Sequence, residues 1–192
     1  MYHFQRKFVV WASLVLLSSM SVSTMTQATD VYFSEYSEPD HSASGVHFHD
    51  RYVEIYNGSG SEIDMENYAF VSCLGNCNAN PYKIVTLFTN AGNFSDTVVA
   101  SGGVFTVRHN SDANIRTAIK NAADGKSSNL NYNGDDVFAL VRQEAGFSNA
   151  LAKKLTNVTV MDVLGAPSNP ATFSPVCGEA RGLENVTLIK KP

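Results

Sequence analysis

The chain has 192 residues, with 14 Lys and Arg against 18 Asp and Glu, a net charge of −4, and 44% hydrophobic residues. That length suits a single domain able to bury a sizeable core. The acidic balance, with Lys153-Lys154 and Lys190-Lys191 as the basic groupings, argues against nucleic acid or an anionic membrane surface as partner, because tracking phosphates needs clustered cations.

In chain order, Arg6 and Lys7 precede the apolar run Phe8 to Leu17, and a Ser/Thr-rich stretch leads to Thr26-Gln27-Ala28. A charged start, a short apolar stretch and small residues before a break describe a secretory signal peptide, with cleavage expected after Ala28. Removing residues 1–28 takes away Arg6 and Lys7 and no acid, leaving 12 basic residues against 18 acidic ones, a net charge of −6. The alternative is a retained anchor, since Phe8 to Met25 reaches the roughly 18 residues that a span requires. The expected organisation is a signal peptide over 1–28 and one domain over 29–192, secreted, extracellular or at the cell surface. No membrane association is expected unless the segment is retained.

Strand signals then recur at short intervals. Val31 to Tyr36 alternates and Glu38-Pro39-Asp40 ends it. Tyr52 to Tyr56 places Val53 and Ile55 on one face and Tyr52, Glu54 and Tyr56 on the other, before Asn57-Gly58-Ser59-Gly60 breaks the run. Further strands are expected over Tyr68 to Ser72, Lys83 to Phe88, Thr97 to Ala100, Val104 to Arg108, Val137 to Arg142, Val158 to Leu164 and Val186 to Lys190. Many short strands with Gly, Pro and Asn between them predict an all-β antiparallel sandwich or barrel and not a βαβ fold.

One segment carries a different period. Ile115, Ala118, Ile119 and Ala122 share a helical face, Ser111 can cap it and Gly125 can end it, which predicts a short inserted helix from about Asp112 to Ala123. A helix so short needs packing to persist, and covering an open end of the sandwich supplies it.

Asn133-Gly134 is the strongest hairpin signal, because that pair accepts the positive φ angles of a tight turn. Asp135 and Asp136 follow. Adjacent carboxylates point to opposite faces of a strand, so they do not form an acid–base pair on one substrate, and an Asp accepting backbone N–H groups in the turn is the first reading. Calcium held by Asp135 and Asp136 is the second, although it wants six to eight oxygens and the spacing does not match an EF-hand. No other cofactor is expected.

Of three cysteines, Cys73 and Cys77 are spaced to close a small loop in an oxidising compartment, and pairing of Cys177 with either is the alternative. Asp40, His41, His47, His49 and Asp50 crowd the loop after the first strand, where imidazoles and carboxylates suit zinc or copper. The same imidazoles also change charge as pH falls toward 6. A solvated polar loop is the simpler reading. No Gly-x-Ser-x-Gly elbow occurs, and neither Cys73 nor Cys77 stands in a recognised catalytic setting, so no enzyme is expected. Four glycosylation sequons begin at Asn57, Asn93, Asn157 and Asn185.

Arg51-Tyr-Val-Glu-Ile-Tyr-Asn57 and Asn131-Tyr-Asn-Gly-Asp-Asp-Val-Phe-Ala-Leu140 resemble the lamin-tail domain, an immunoglobulin-like β-sandwich. Val31 to Tyr36 with its Ser34-Glu35 step, Ile63 to Tyr68, Phe105 to His109, Asp162 to Gly165 and Asn185 to Lys190 extend the likeness across about Val31 to Lys191. Phe105 to His109, the helix and Asn133 to Asp136 look like the family's secreted bacterial branch. Phe173 to Gly178 stands where the family often places a Trp.

The resemblance implies a non-catalytic interaction module whose partner is a protein or surface polymer, and a free-standing or surface-associated module without an attached enzyme domain is expected. Loops on a rigid scaffold carry most binding function, so His47, His49 and Arg51 after the first strand, with Asn80 and Tyr82 in the Leu74 to Tyr82 loop, are the expected contact residues. The rival readings are an accessory of an extracellular nuclease- or phosphatase-type hydrolase and a calcium-stabilised adhesive module.

Overall fold

The computed structural model describes residues 31–39, 49–73, 84–89, 93–94, 96–132, 136–148, 156–165 and 187–190. Within them, β1 (Val31–Ser37), β2 (Tyr52–Asn57), β7 (Val104–His109), β8 (Gly125–Ser127) and β11 (Thr187–Ile189) form one sheet in the order β11-β1-β2-β7-β8. The second sheet, in the order β10-β9-β4-β5, holds β4 (Tyr68–Cys73), β5 (Ile84–Leu87), β9 (Val137–Ser148) and β10 (Thr156–Leu164). A two-stranded ribbon pairs β3 (Ile63–Asp64) with β6 (Val98–Val99). This is an immunoglobulin-like β-sandwich with one short helix, α1 (Thr117–Ala122).

Alternation makes the sheets and aromatic packing joins them. Val53 and Ile55 of β2 are buried while Tyr52, Glu54 and Tyr56 are half-buried on the outer face. Phe33 on β1 meets Phe70 on β4 edge-on at 6.0 Å between ring centroids, and Tyr36 packs on Phe138 of β9 at 5.7 Å. Such pairs add about 0.5–1.5 kcal/mol each beyond their buried area. Strand β1 departs from strict alternation: its register against β2 shifts between Phe33 and Glu35, a bulge at Ser34. The extra residue lets Phe33 and Tyr36, three apart, both face the core.

Several expectations need correction. The sandwich is not wholly antiparallel, because β8 runs parallel to β7. Gly125 does not end the helix; it opens β8, where a Cβ would stand 1.9 Å from Phe94 Cδ1 and 2.8 Å from the Asn93 carbonyl oxygen. The helix is six residues long, and Ser111 does not cap it: the Ser111 hydroxyl donates to the Ala113 carbonyl, Asn114 takes a φ of 55°, and Ile115 is buried ahead of the first helical residue. Asp112 is drawn to Arg108 instead of entering the helix. Nor does α1 close an end of the sandwich. Ala118 and Ala122 are exposed, and its apolar side faces the outer surface of the first sheet across a groove.

Candidate functional site

The segment entering β2 and the segment leaving β7 meet at one end of the sandwich. His109 N–H donates to the Arg51 carbonyl at 2.9 Å, and His49 N–H donates to the Asn114 carbonyl at 3.1 Å. These bonds lay the two imidazoles flat on one another, with centroids 4.6 Å apart and planes within 1°. Burial, then the charges of neighbouring groups beginning with His49, pushes His109 down to about 4. Burial followed by Arg51 also lowers His49. His109 Nδ1 accepts the Ser111 N–H at 3.1 Å, which places the ring proton on Nε2. A neutral stacked pair fits a structural clasp.

Asp50 ties this end to the helix. Its carboxylate accepts the Arg116 backbone N–H at 2.7 Å and lies 2.8 Å from Arg116 Nε. Arg51 turns inward: it is 4% exposed, donates to the Asn131 side chain at 3.3 Å, and stands 6.0 Å from the Tyr132 ring centre. The buried carboxylates of Glu38 and Asp136 act on it electrostatically. Tyr36 donates to Glu38 at 3.1 Å, while Tyr132 donates to the carbonyls of Ser37 and Tyr52 at 2.8 and 3.0 Å. Burial raises both phenols well above their ordinary range, so they stay protonated as donors.

Two of the expected contact residues, His49 and Arg51, lie within the described residues. Arg51, expected on an exposed loop, is an internal charge at one end of the sandwich core. His49 lies at the base of its loop, stacked on a histidine that the sequence did not single out. Asp136 is buried just ahead of β9. His41, His47, Asn80, Tyr82, Asp135, Cys77 and Cys177 lie outside the described residues, as does the Asn133-Gly134 turn; Cys73 ends β4. Among the described residues no three His, Cys, Asp or Glu side chains converge as metal ligands, and no helix is long and apolar enough to cross a membrane. Two of the sequons are committed internally. Asn57 is buried, and Asn157 donates to the Gly146 carbonyl at 2.9 Å.

Two concavities flank α1. The larger, of about 310 Å³, is lined by Arg108, Lys120 and Lys126 together with Asp124, and Asp112 engages the three cations. Arg108 and Lys126 lie 2.7 and 3.5 Å from its carboxylate, and Lys120 donates to its carbonyl. The smaller, of about 230 Å³, lies between α1 and the outward face of β1, β2 and β7, with Glu35 and Glu54 in its floor.

These features define a two-sheet, immunoglobulin-like scaffold with a pinned loop end and an outward groove. A family model for the lamin tail domain matches residues 24–165. The chain belongs to the lamin tail domain family, whose membership indicates an interaction module. No curated protein and no solved structure matches the chain. The closing strand lies beyond the matched residues, and the fold supplies it: β11 pairs with β1 through Glu35 to Ser37.

Proposed function

We propose that this chain is an exported, surface-associated lamin-tail module that works by contact with a protein or surface polymer and turns nothing over. The observation that carries the reading is the family match across the sandwich, joined to a loop end fixed by Asp50 and the His49–His109 stack. Rigid support of this kind keeps the entropic cost of ordering binding loops low. Export rests on Arg6, Lys7, the Phe8 to Leu17 run and Thr26-Gln27-Ala28, and the secreted bacterial branch on the Phe105 to Asp136 likeness. Contact is assigned first to the loops carrying His47, His49, Asn80 and Tyr82.

Fractionation of the producing cells, with amino-terminal sequencing of the exported form, tests the first half; a mature chain beginning at Thr29 is expected, and retention in the cytoplasm overturns it. For the second half, the labelled protein is bound to intact producing cells. Saturable binding lost when residues 41–48 and 74–82 become Gly/Ser linkers supports the loops, and undiminished binding removes them as the contact surface.

A further inference from the structure

The groove beside α1 is built from two unlike halves. Its floor is a row of outward side chains on three neighbouring strands: Glu35 of β1 stands directly opposite Glu54 of β2, and Glu54 directly opposite Thr106 of β7. Tyr52 lies on the same face, two residues from Glu54. Its far wall is the apolar side of α1, with Ala118 and Ala122 exposed and Ile119 half-buried.

Like charges directly across a strand pair destabilise a sheet, because their Cβ atoms are only about 4.5–5.5 Å apart. Here the two carboxylates are also held in place. Tyr52 donates its hydroxyl to Glu35 Oε1 at 2.7 Å, and Ser34 donates to Glu54 Oε1 at 2.7 Å. Each leaves its second oxygen available, and among the described residues no Lys or Arg forms an ion pair with either. The arrangement contrasts with the cavity on the other flank of α1, where Asp112 pairs with Arg108 and Lys126 from within the chain.

We infer that this groove receives the side chain of a lysine presented by a partner polypeptide, its aliphatic stem against Ala118, Ile119 and Ala122 and its ammonium between Glu35 and Glu54. A calcium ion is a poorer fit, because it requires six to eight oxygens and the helix wall offers none. A guanidinium forks onto one planar carboxylate, whereas an ammonium directs three donors to separate acceptors, as two glutamates on different strands require. A volume of about 230 Å³ is below the roughly 300–1,000 Å³ of pockets for drug-sized ligands and suits one side chain.

This inference rests on the contact reading above and gives the partner's chemistry. Its test is an NMR titration of the purified full chain with n-butylammonium, against n-butanol and n-butylguanidinium. Shifts are expected at the methyls of Ala118, Ile119 and Ala122 and the amides of Glu35 and Glu54, with n-butanol weaker by at least about tenfold, equivalent to about 1.4 kcal/mol. The double variant Glu35→Gln/Glu54→Gln is expected to lose the ammonium response while keeping or raising its melting temperature, since a like-charge pair is removed. Ala118→Leu, on the exposed helix face, is expected to block the groove without touching the core. Equal response to n-butanol, a stronger response to the guanidinium, or an unchanged response in the double variant overturns the inference. Cell-surface binding indifferent to both variants removes the groove and leaves the contact reading standing. Ammonium binding by a chain that never leaves the cytoplasm does the reverse.

Discussion

Asp162 on β10 accepts the backbone N–H of Phe33 on β1 at 3.0 Å, a side-chain bond between the two sheets across 129 positions of sequence. Among the described residues β11 pairs with β1 over Glu35 to Ser37 and the Lys190 N–H bonds the Ser34 carbonyl, while the Phe33 amide beside the bulge takes its acceptor from Asp162. Asp162→Ala strands that buried donor and is expected to lower stability by about 1–3 kcal/mol. Asp162→Asn, which keeps an acceptor, is expected to cost less. Urea unfolding with unchanged slope checks both.

Asn57 closes the end of β2 onto the β3–β6 ribbon. Its amide donates to the carbonyls of Ser61, Val99 and Ala100 at 2.8, 2.9 and 3.1 Å, and its oxygen accepts from Ser59. Asn57→Asp turns a carboxylate toward three carbonyl oxygens. It is expected to destabilise more than Asn57→Ala, itself about 1–3 kcal/mol, by thermal melting at neutral pH.

Gly125→Ala is expected to cost about 1–3 kcal/mol, the usual penalty of overpacking, because the added methyl collides with Phe94. Adding Phe94→Leu is expected to recover only part of the loss, since the Asn93 carbonyl also blocks the site. A double-mutant cycle in urea measures the coupling.

Removing Arg51 leaves Glu38 and Asp136 as buried carboxylates without the cation that faces them. Breaking a buried charge set from one side costs about 3–5 kcal/mol. Arg51→Ala is expected to fall in that range and Arg51→Lys to cost less. Any loss of binding in Arg51→Ala is expected to track unfolding, read by circular dichroism.

The histidine stack gives a pH dependence. His109 titrates near 4 in the folded chain against 6.5 when unfolded, so between those values the unfolded chain binds the extra proton and stability falls as pH drops. His49, lowered as well, acts in the same direction. Asp124, raised by burial, acts in the opposite direction. Melting temperatures from pH 7 to 4.5 are expected to decline, and His109→Gln is expected to flatten that decline.

Strand β2 was legible because it alternates, as a half-buried strand requires; β4, β7 and β9 were legible as short runs rich in aromatic and β-branched residues bounded by turn signals. Strand β8 was hidden: Gly125-Lys126-Ser127 carries no β-branched or aromatic residue, and its place follows from Phe94 packing over a glycine. The helical period from Ile115 to Ala122 was real, but Arg108 competes for Asp112 and Ile115 is spent on the core, so only Thr117–Ala122 coils. Arg51 reads as a loop cation until Glu38, Asn131 and Asp136 are brought to it by the segments after β1 and before β9. The opposition of Glu35 and Glu54 was equally invisible, since it depends on the register that the Ser34 bulge sets.

Photo-crosslinking on intact producing cells tests the account most directly. A photoreactive residue replaces Ala118 in the groove or, as a reference, Val160, exposed on β10 of the other sheet. The predicted result is an exported chain that gives one discrete polypeptide adduct from position 118, none from 160, and none from 118 once Glu35→Gln/Glu54→Gln is added. A chain confined to the cytoplasm, giving no adduct from either position, would contradict it.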